Sequence, residues 1–508
     1  IIVQTWPMNS RTWRPKRKIL PSCVSSKTGA RIPLTFSGKR YGTRHTQAVL
    51  LFLITAIEFG TRINLPVAIV AMTTTNSTSN PDVPTYNWSW ADHSVVLSSY
   101  YWGYVPPGLI AGHLVARFGA KWFLALSGLG GALCAILIPV LAPFGSWTVM
   151  LCRLGQGVCH GLLCPCCHSM LAKWVPKCER ARLSAFVYGG GSLGMVLSFA
   201  LSGWMCGSWL GWPLSFYAHG LVGLIWSMVW IFVGKGSPAE HKGISGEERM
   251  YIEASIGTGE PIQVTSTPWS SIFKSFPMWA ILIGSFGQVW VLTTLMTNIP
   301  TYIANVLRFQ IEENGLISGG PFLLFWICSF VWSYLIDFII TRRAVSTGTA
   351  RKIATGVSLY TPGIGLLVIG LISGLNVDVT ITTLVIMFVS VGISSGFLSG
   401  LQVNHIDLSP IHASTLVGLT NGAANILSIV APLIVHLIVV EATNPAQWAV
   451  LFYIASAICV TCTTFYVVFA SGEIQSWNGH QIDCISTQKE QARILDEAVG
   501  LEDVQLMT

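Results

Sequence analysis

Residues 48–72 read AVLLFLITAIEFGTRINLPVAIVAM. The stretch is long enough to cross a bilayer, which takes about 20 apolar residues in a helix. Yet it carries Glu58 and Arg62 near its middle. Arg62 lies roughly 21 Å into the helix at 1.5 Å per residue, too deep to reach the headgroups easily. Charges inside a membrane are costly and usually functional. This stretch therefore predicts a membrane helix with a working site on it.

Working outward, the same kind of stretch recurs. Apolar runs of spanning length fall at 48–72, 94–115, 122–142, 148–171, 184–204 and 213–234, then at 278–304, 314–337, 353–373, 380–402, 413–440 and 447–470. Composition agrees: 52% of the 508 residues are hydrophobic and 10% charged, against about 25% charged in a soluble domain, and the mean hydropathy is +0.59. The expected fold is all-α and polytopic, with 12 transmembrane helices in two six-helix halves. The divisions are a basic tail 1–46, a first half 47–234, a polar central loop 235–277, a second half 278–470 and a polar tail 471–508.

Lys and Arg placement gives the orientation, because cytosolic loops are enriched in them. With both termini in the cytosol, 26 of the 29 basic residues fall inside, Arg308 outside, and Arg62 and Arg153 within spans. The net charge of +7 is thus a topology signal and implies no nucleic acid partner. The acid-free basic tail is also compatible with a transit peptide. The outer loop 73–93 has no basic residue and holds the sequons at Asn76 and Asn87, so both are expected to be glycosylated. The thirteen cysteines lie mostly inside spans, which predicts no external disulfide framework.

The second run ends in Gly112-His113-Leu114-Val115-Ala116-Arg117-Phe118-Gly119-Ala120-Lys121, and the matching place in the second half reads Ser333-Tyr334-Leu335-Ile336-Asp337 before Arg342-Arg343. These resemble the signature loops of the major facilitator superfamily, with Ala116 where its Asp stands. More specific strings are Arg62-Ile63-Asn64-Leu65-Pro66, Asn87-Trp88-Ser89-Trp90, Tyr101-Trp102-Gly103-Tyr104, Cys164-Pro165-Cys166-Cys167-His168, Lys173-Trp174-Val175-Pro176 and Asn404-His405-Ile406-Asp407-Leu408-Ser409-Pro410. Over about residues 40–478 the pattern is similar to the anion-transporting branch that includes sialin, the vesicular glutamate transporters and the type I sodium/phosphate cotransporters.

The resemblance implies that Arg62 and Arg153 bind the substrate anion, with Tyr101 and Gln288 lining the same cavity. A guanidinium suits carboxylate or phosphate through paired planar donors. The alternatives are a structural Glu58–Arg62 pair one turn apart and an Arg153 that snorkels outward. Gly112, Arg117, Gly119 and Asp337 are expected to form the gate, joined by Asn404, His405 and Asp407. The family often has a Glu where this chain has His160, and a small neutral residue where it has Glu58. Proton coupling is therefore expected to involve Glu58 and His160: Arg62 opposes protonation of Glu58, and an anion bound to Arg62 favours it. Leu97 and Gln288 replace a His and an Arg of the vesicular glutamate transporters, which speaks against that activity.

The Cys159, His160, Cys164, Cys166, Cys167 and His168 cluster is read as helix packing, so no metal is expected. No cofactor motif or enzyme nucleophile stands out, and the reading is a non-enzyme whose coupling ion is H+ or Na+. The expected function is secondary active transport of small anions, inorganic phosphate or organic anions such as sialic acid. The protein is expected to work as a monomer in a plasma, endolysosomal or vesicle membrane. Alternatives are a transport-inactive receptor or scaffold on the same fold, and a vesicular acidic amino acid transporter.

Overall fold

The computed structural model describes residues 41–73, 80, 82–176, 179–256, 267–342, 344–373, 379–409 and 412–478. Every described stretch of regular structure is helical. The first half contains α1 (Thr43–Thr73), α2 (Trp90–Phe118), α3 (Lys121–Leu141), α4 (Ser146–His160), α5 (Leu163–Trp174), α6 (Arg180–Gly207) and α7 (Trp212–Val233). Two short helices follow, α8 (Gly246–Ile256) and α9 (Trp269–Lys274). The second half contains α10 (Phe276–Asn305), α11 (Ile311–Thr341), α12 (Thr347–Ile372), α13 (Thr380–Ser394), α14 (Leu401–Leu408), α15 (Ala413–Ile438) and α16 (Pro445–Phe469).

Each predicted span is occupied by helix, but two are broken. The run 148–171 divides into α4 and α5. Pro165 explains the break: its ring clashes with the carbonyl of residue 161 and it has no N–H to donate. The run 380–402 divides into α13, a 3₁₀ turn at Ser395–Leu398, and α14. There the Ser399 carbonyl, released from the helix ladder, is taken by Arg351 Nη1 at 2.6 Å. Among the described residues, ten helical segments are long and apolar enough to cross a membrane. The runs that fall short are α2 and the α4–α5 pair, the polar helices that line the site below.

Three segments expected to be loop or tail are in fact built into the fold. The central loop contains α8 and α9. Arg44, assigned to the basic tail, is buried at 3% exposure in α1. Its guanidinium meets Glu179 at 2.9 Å and Glu248 of α8 at 3.1 Å. The start of the C-terminal tail is strapped to the second half, with Gln475 N–H donating to the Leu408 carbonyl and the Ser409 hydroxyl donating to Asn478.

The two halves meet unequally at the two ends. At the end away from the termini, one apolar core joins residues 63–72 of α1 to residues 290–303 of α10, with α6 and α11. At the end carrying the termini, the core of the first half contains no residue of the second. The far end is therefore closed and the termini end is not sealed by a shared core. Glycines make the closure possible: a Cβ on Gly315 would lie 2.5 Å from the Phe199 carbonyl oxygen and 2.6 Å from Gly203 Cα. The loop after α1 covers this end, with Trp212 Nε1 donating to the Pro84 carbonyl and Tyr86 N–H to Met72.

Candidate functional site

The site is built on α1, α2, α3, α4 and α5. A small cavity between them is lined by Glu58, Phe59, Arg62, Tyr100, Tyr104, His160 and Leu163. The sequence reading expected Glu58, Arg62 and His160 to share one cavity, and in the structure all three line this one.

Arg62 sits in an aromatic cage. Its guanidinium carbon is 4.8 Å from the Tyr101 ring centroid, 5.4 Å from Tyr100, and 5.9 Å from Phe59 and from Tyr104. Arg62 is half-buried, and cation–π attraction grows as a cation is withdrawn from water. Arg62 Nη2 donates to the Tyr101 hydroxyl at 2.9 Å, while Nε is buried without a partner among the described residues. No carboxylate pairs with it among the described residues. This is a positive charge held by π faces, with donor capacity left over.

Arg153 is 2% exposed and does not snorkel. Nη1 donates to Gln156 Oε1 at 2.6 Å, and Nη2 to the backbone carbonyl of Arg62 at 3.2 Å. That carbonyl is available because of Pro66, four residues on: proline has no N–H to complete the helical bond. Pro66 thus ties the two arginines together through backbone, a link the sequence carried but that was not read from it. The Tyr100 ring lies between them, 4.8 Å from Arg153 as well.

Glu58 does not pair with Arg62. It is 2% exposed, and its Oε1 lies 2.5 Å from the Ser127 hydroxyl of α3. The predicted pair fails because the Arg62 head turns into the tyrosines of α2 while the Glu58 carboxyl turns toward α3. His160 Nδ1 is 3.1 Å from the Tyr100 hydroxyl. Its ring occupies the space over Gly131, where any Cβ would collide with Nε2. Ser127 and Gly131 stand behind the cavity without lining it, holding Glu58 and making room for His160, and the sequence reading missed them. Their signal was a small-residue face on an otherwise apolar run.

Other predicted residues lie apart. Gln288 is half-buried on α10 and makes no side-chain hydrogen bond among the described residues. Gly112 falls within α2. Gly119 ends α2 with φ +82°, a backbone shape that favours glycine. Arg117 and Asp337, expected in the gate, are exposed and join no ion pair among the described residues. Asn404, His405 and Asp407 are structural ties from α14: to the Tyr466 hydroxyl at 3.0 Å, to Thr420 Oγ1 at 2.8 Å and to Arg351 at 2.8 Å. Asn87 is exposed, and Asn76 lies outside the described residues. No cluster of three or more His, Cys, Asp or Glu side chains suited to a metal occurs among the described residues.

Comparison with known proteins gives a consistent picture. The Major Facilitator Superfamily profile matches residues 50–376. The chain is 34% identical over 467 residues to a Drosophila melanogaster protein named "Putative inorganic phosphate cotransporter", covering 87% of this chain and 88% of that one. It is 32% identical to human sialin over 454 residues, covering 85% and 90%. It is 34% identical to vesicular glutamate transporter 3 of Danio rerio over 469 residues, covering 89% and 77%. Among solved structures, a D-xylose–proton symporter aligns with a TM-score of 0.61 at 14% identity, over 84% of this chain and 99% of that one. A bacterial homolog of the human lysosomal transporter Spinster, inward-facing and unoccupied, aligns with a TM-score of 0.60 at 14% identity, over 86% and 96%.

Proposed function

Because this chain belongs to the major facilitator superfamily, we propose that it is a secondary active transporter of small anions, inorganic phosphate or organic anions such as sialic acid, driven by a proton or sodium gradient. The observation that carries the reading is the arginine pair, Arg153 buried and Arg62 half-buried. The two are linked through the Arg62 carbonyl and both flank Tyr100, and no carboxylate pairs with either among the described residues. Two such guanidinium groups without a counter-ion gain most from an anion that supplies the missing acceptors. The relatives named for phosphate, sialic acid and glutamate transport support the substrate class.

The mechanism follows from the unequal ends. Both termini and the central segment are cytosolic in this reading, so the described conformation is closed outward. An anion entering between the halves is drawn to Arg62, whose donors are not all taken. Rocking of one half against the other about α1–α10 and α6–α11 then exposes the same site to the other side. Glu58 and His160, on the same cavity wall, are the coupling groups: an anion drawing on Arg62 offsets the one positive charge on that wall that opposes a proton on Glu58 and so helps to hold it there.

The test is uptake into vesicles holding the purified protein. Labelled phosphate, sialic acid and acidic amino acids are offered under imposed pH and sodium gradients. Accumulation of phosphate or sialic acid above the equilibrium level is expected. Uptake of acidic amino acids alone would favour the vesicular alternative. No uptake of any anion by correctly inserted protein would leave the receptor reading.

A further inference from the structure

Ser127 is fully buried on α3, and its hydroxyl has two neighbours. One is Glu58 Oε1 at 2.5 Å, the other the Cys159 carbonyl oxygen at 2.8 Å. A hydroxyl has one hydrogen, and a carbonyl can only accept. If Ser127 donates to Cys159, the short contact to Oε1 is attractive only when the carboxyl carries the proton and donates to the Ser127 oxygen. If Glu58 is ionised, the carboxylate is the stronger acceptor, and the hydrogen leaves Cys159.

The remaining oxygen favours the first arrangement. Glu58 Oε2 is buried with no hydrogen-bond partner among the described residues. An ionised carboxylate half-satisfied in an apolar setting costs far more than a neutral acid. The groups facing Glu58 are Arg62 on its own helix, Tyr100 and Tyr104 of α2, Cys159 and His160 of α4, and Cys166 and Cys167 of α5. None of them donates a hydrogen bond to it.

Cys159 stands beside the break between α4 and α5. Its carbonyl receives the Leu162 N–H at a long 3.3 Å and a share of the Gly161 N–H, which also reaches the Gly157 carbonyl, so the 2.8 Å bond from Ser127 is its one undivided short contact. One and two turns up α4 from it lie Gln156 and Arg153. We propose that Ser127 is a positioning residue that converts the protonation of Glu58 into the set of the α4–α5 break, and so into the placement of Arg153 in the anion site. The proton moves from Glu58 Oε1 to solvent through the open end. The Ser127 hydrogen then rotates from Cys159 to the carboxylate, and no covalent bond other than the acid O–H is broken. This inference rests on the proton-coupling reading of Glu58, and its test separates the two.

The experiment uses the full chain in liposomes. Difference infrared spectroscopy reads the carboxylic acid C=O band at neutral pH without any substrate. The band is expected in the wild type, absent in Glu58→Gln and shifted to higher frequency in Ser127→Ala, where the hydrogen-bond acceptor is gone. Uptake of labelled phosphate and labelled sialic acid is then compared in two modes. Ser127→Ala is expected to keep anion-for-anion exchange but to lose about tenfold in accumulation driven by a pH gradient, the worth of one charge-assisted hydrogen bond. Ser127→Thr, which keeps the hydroxyl, is expected to restore it. Normal pH-driven accumulation by Glu58→Gln defeats the coupling reading itself. Loss in Glu58→Gln with wild-type accumulation in Ser127→Ala leaves that reading standing and overturns the role of Ser127. Where Ser127→Ala loses exchange as well, an unshifted carboxyl band in the purified variant overturns it.

Discussion

Arg62 is held by tyrosines rather than by a carboxylate, and this choice of partner sets its chemistry. A π face stabilises the cation without consuming its acceptor-seeking N–H groups, so the guanidinium stays available. Arg62→Ala is expected to abolish uptake of whichever of the offered anions the wild type accumulates, while the protein still reaches its membrane. Arg62→Lys is expected to recover little, because the planar paired donors are gone. Full uptake by a well-expressed Arg62→Ala protein would remove Arg62 from the site. That position 62 places a charge deep within a spanning run was legible from the run 48–72. Its partner was not, because the i, i+4 relation to Glu58 fixes only which helix face the two share. The cage is supplied by Tyr100, Tyr101 and Tyr104 of another helix.

Among the elements, the crossing of α6 on α11 closes the far end. Gly203 and Gly315 stand face to face, and a Cβ on Gly203 would lie 2.7 Å from Gly315 Cα. Phe199 and Phe322 stack beside them at 5.4 Å. Small residues allow such approach between membrane helices. Gly315→Val is expected to push the helices apart and disfavour the closed far end. A reporter cysteine placed near this crossing is then expected to react faster with an impermeant thiol reagent applied from outside, and transport is expected to fall. Unchanged labelling and transport would show that the crossing tolerates the added bulk. The breaks in the fourth and tenth runs belong to this scale too. Pro165 could have marked the first in the sequence, since a proline inside a helical run ends or kinks it. The second has no proline at the break and depends on Arg351 arriving from α12.

At the scale of the whole molecule, Arg44 clasps the central segment to the first half. Burial alone would push the Glu248 carboxyl up, but the backbone N–H groups of Arg44 and Thr43 and the Arg44 guanidinium outweigh it and hold Glu248 below the ordinary value of 4.5. A carboxylate depressed in the folded state contributes stability that is present above about pH 4.5 and lost as the pH falls through the folded value. Glu248→Gln is expected to cost roughly 1.5–3 kcal/mol at neutral pH, the range for a hydrogen bond to a charged group. The difference from wild type should shrink on acidification. Thermal melting in detergent from about pH 7 down to about pH 2 measures both, because the contribution is lost below the ordinary value, and a difference that stays constant over that whole range would count against the clasp. Orientation is tested separately: glycosidase treatment is expected to shift the gel mobility of the wild type, with the shift reduced by Asn87→Gln and abolished when Asn76→Gln is added. No shift in any form would leave the loop 73–93 unplaced. The sequence by itself determined the membrane class, the twelve runs and the two intramembrane arginines, because hydropathy, basic-residue bias and residue depth are properties of one helix and its solvent. The tertiary structure decided that Glu58 answers to Ser127, that Arg153 takes the carbonyl freed by Pro66, that Arg44 is buried and which end is shut. Those outcomes depend on distances between helices, and such distances are set by packing of side chains far apart in the chain, which spacing within a helix does not encode.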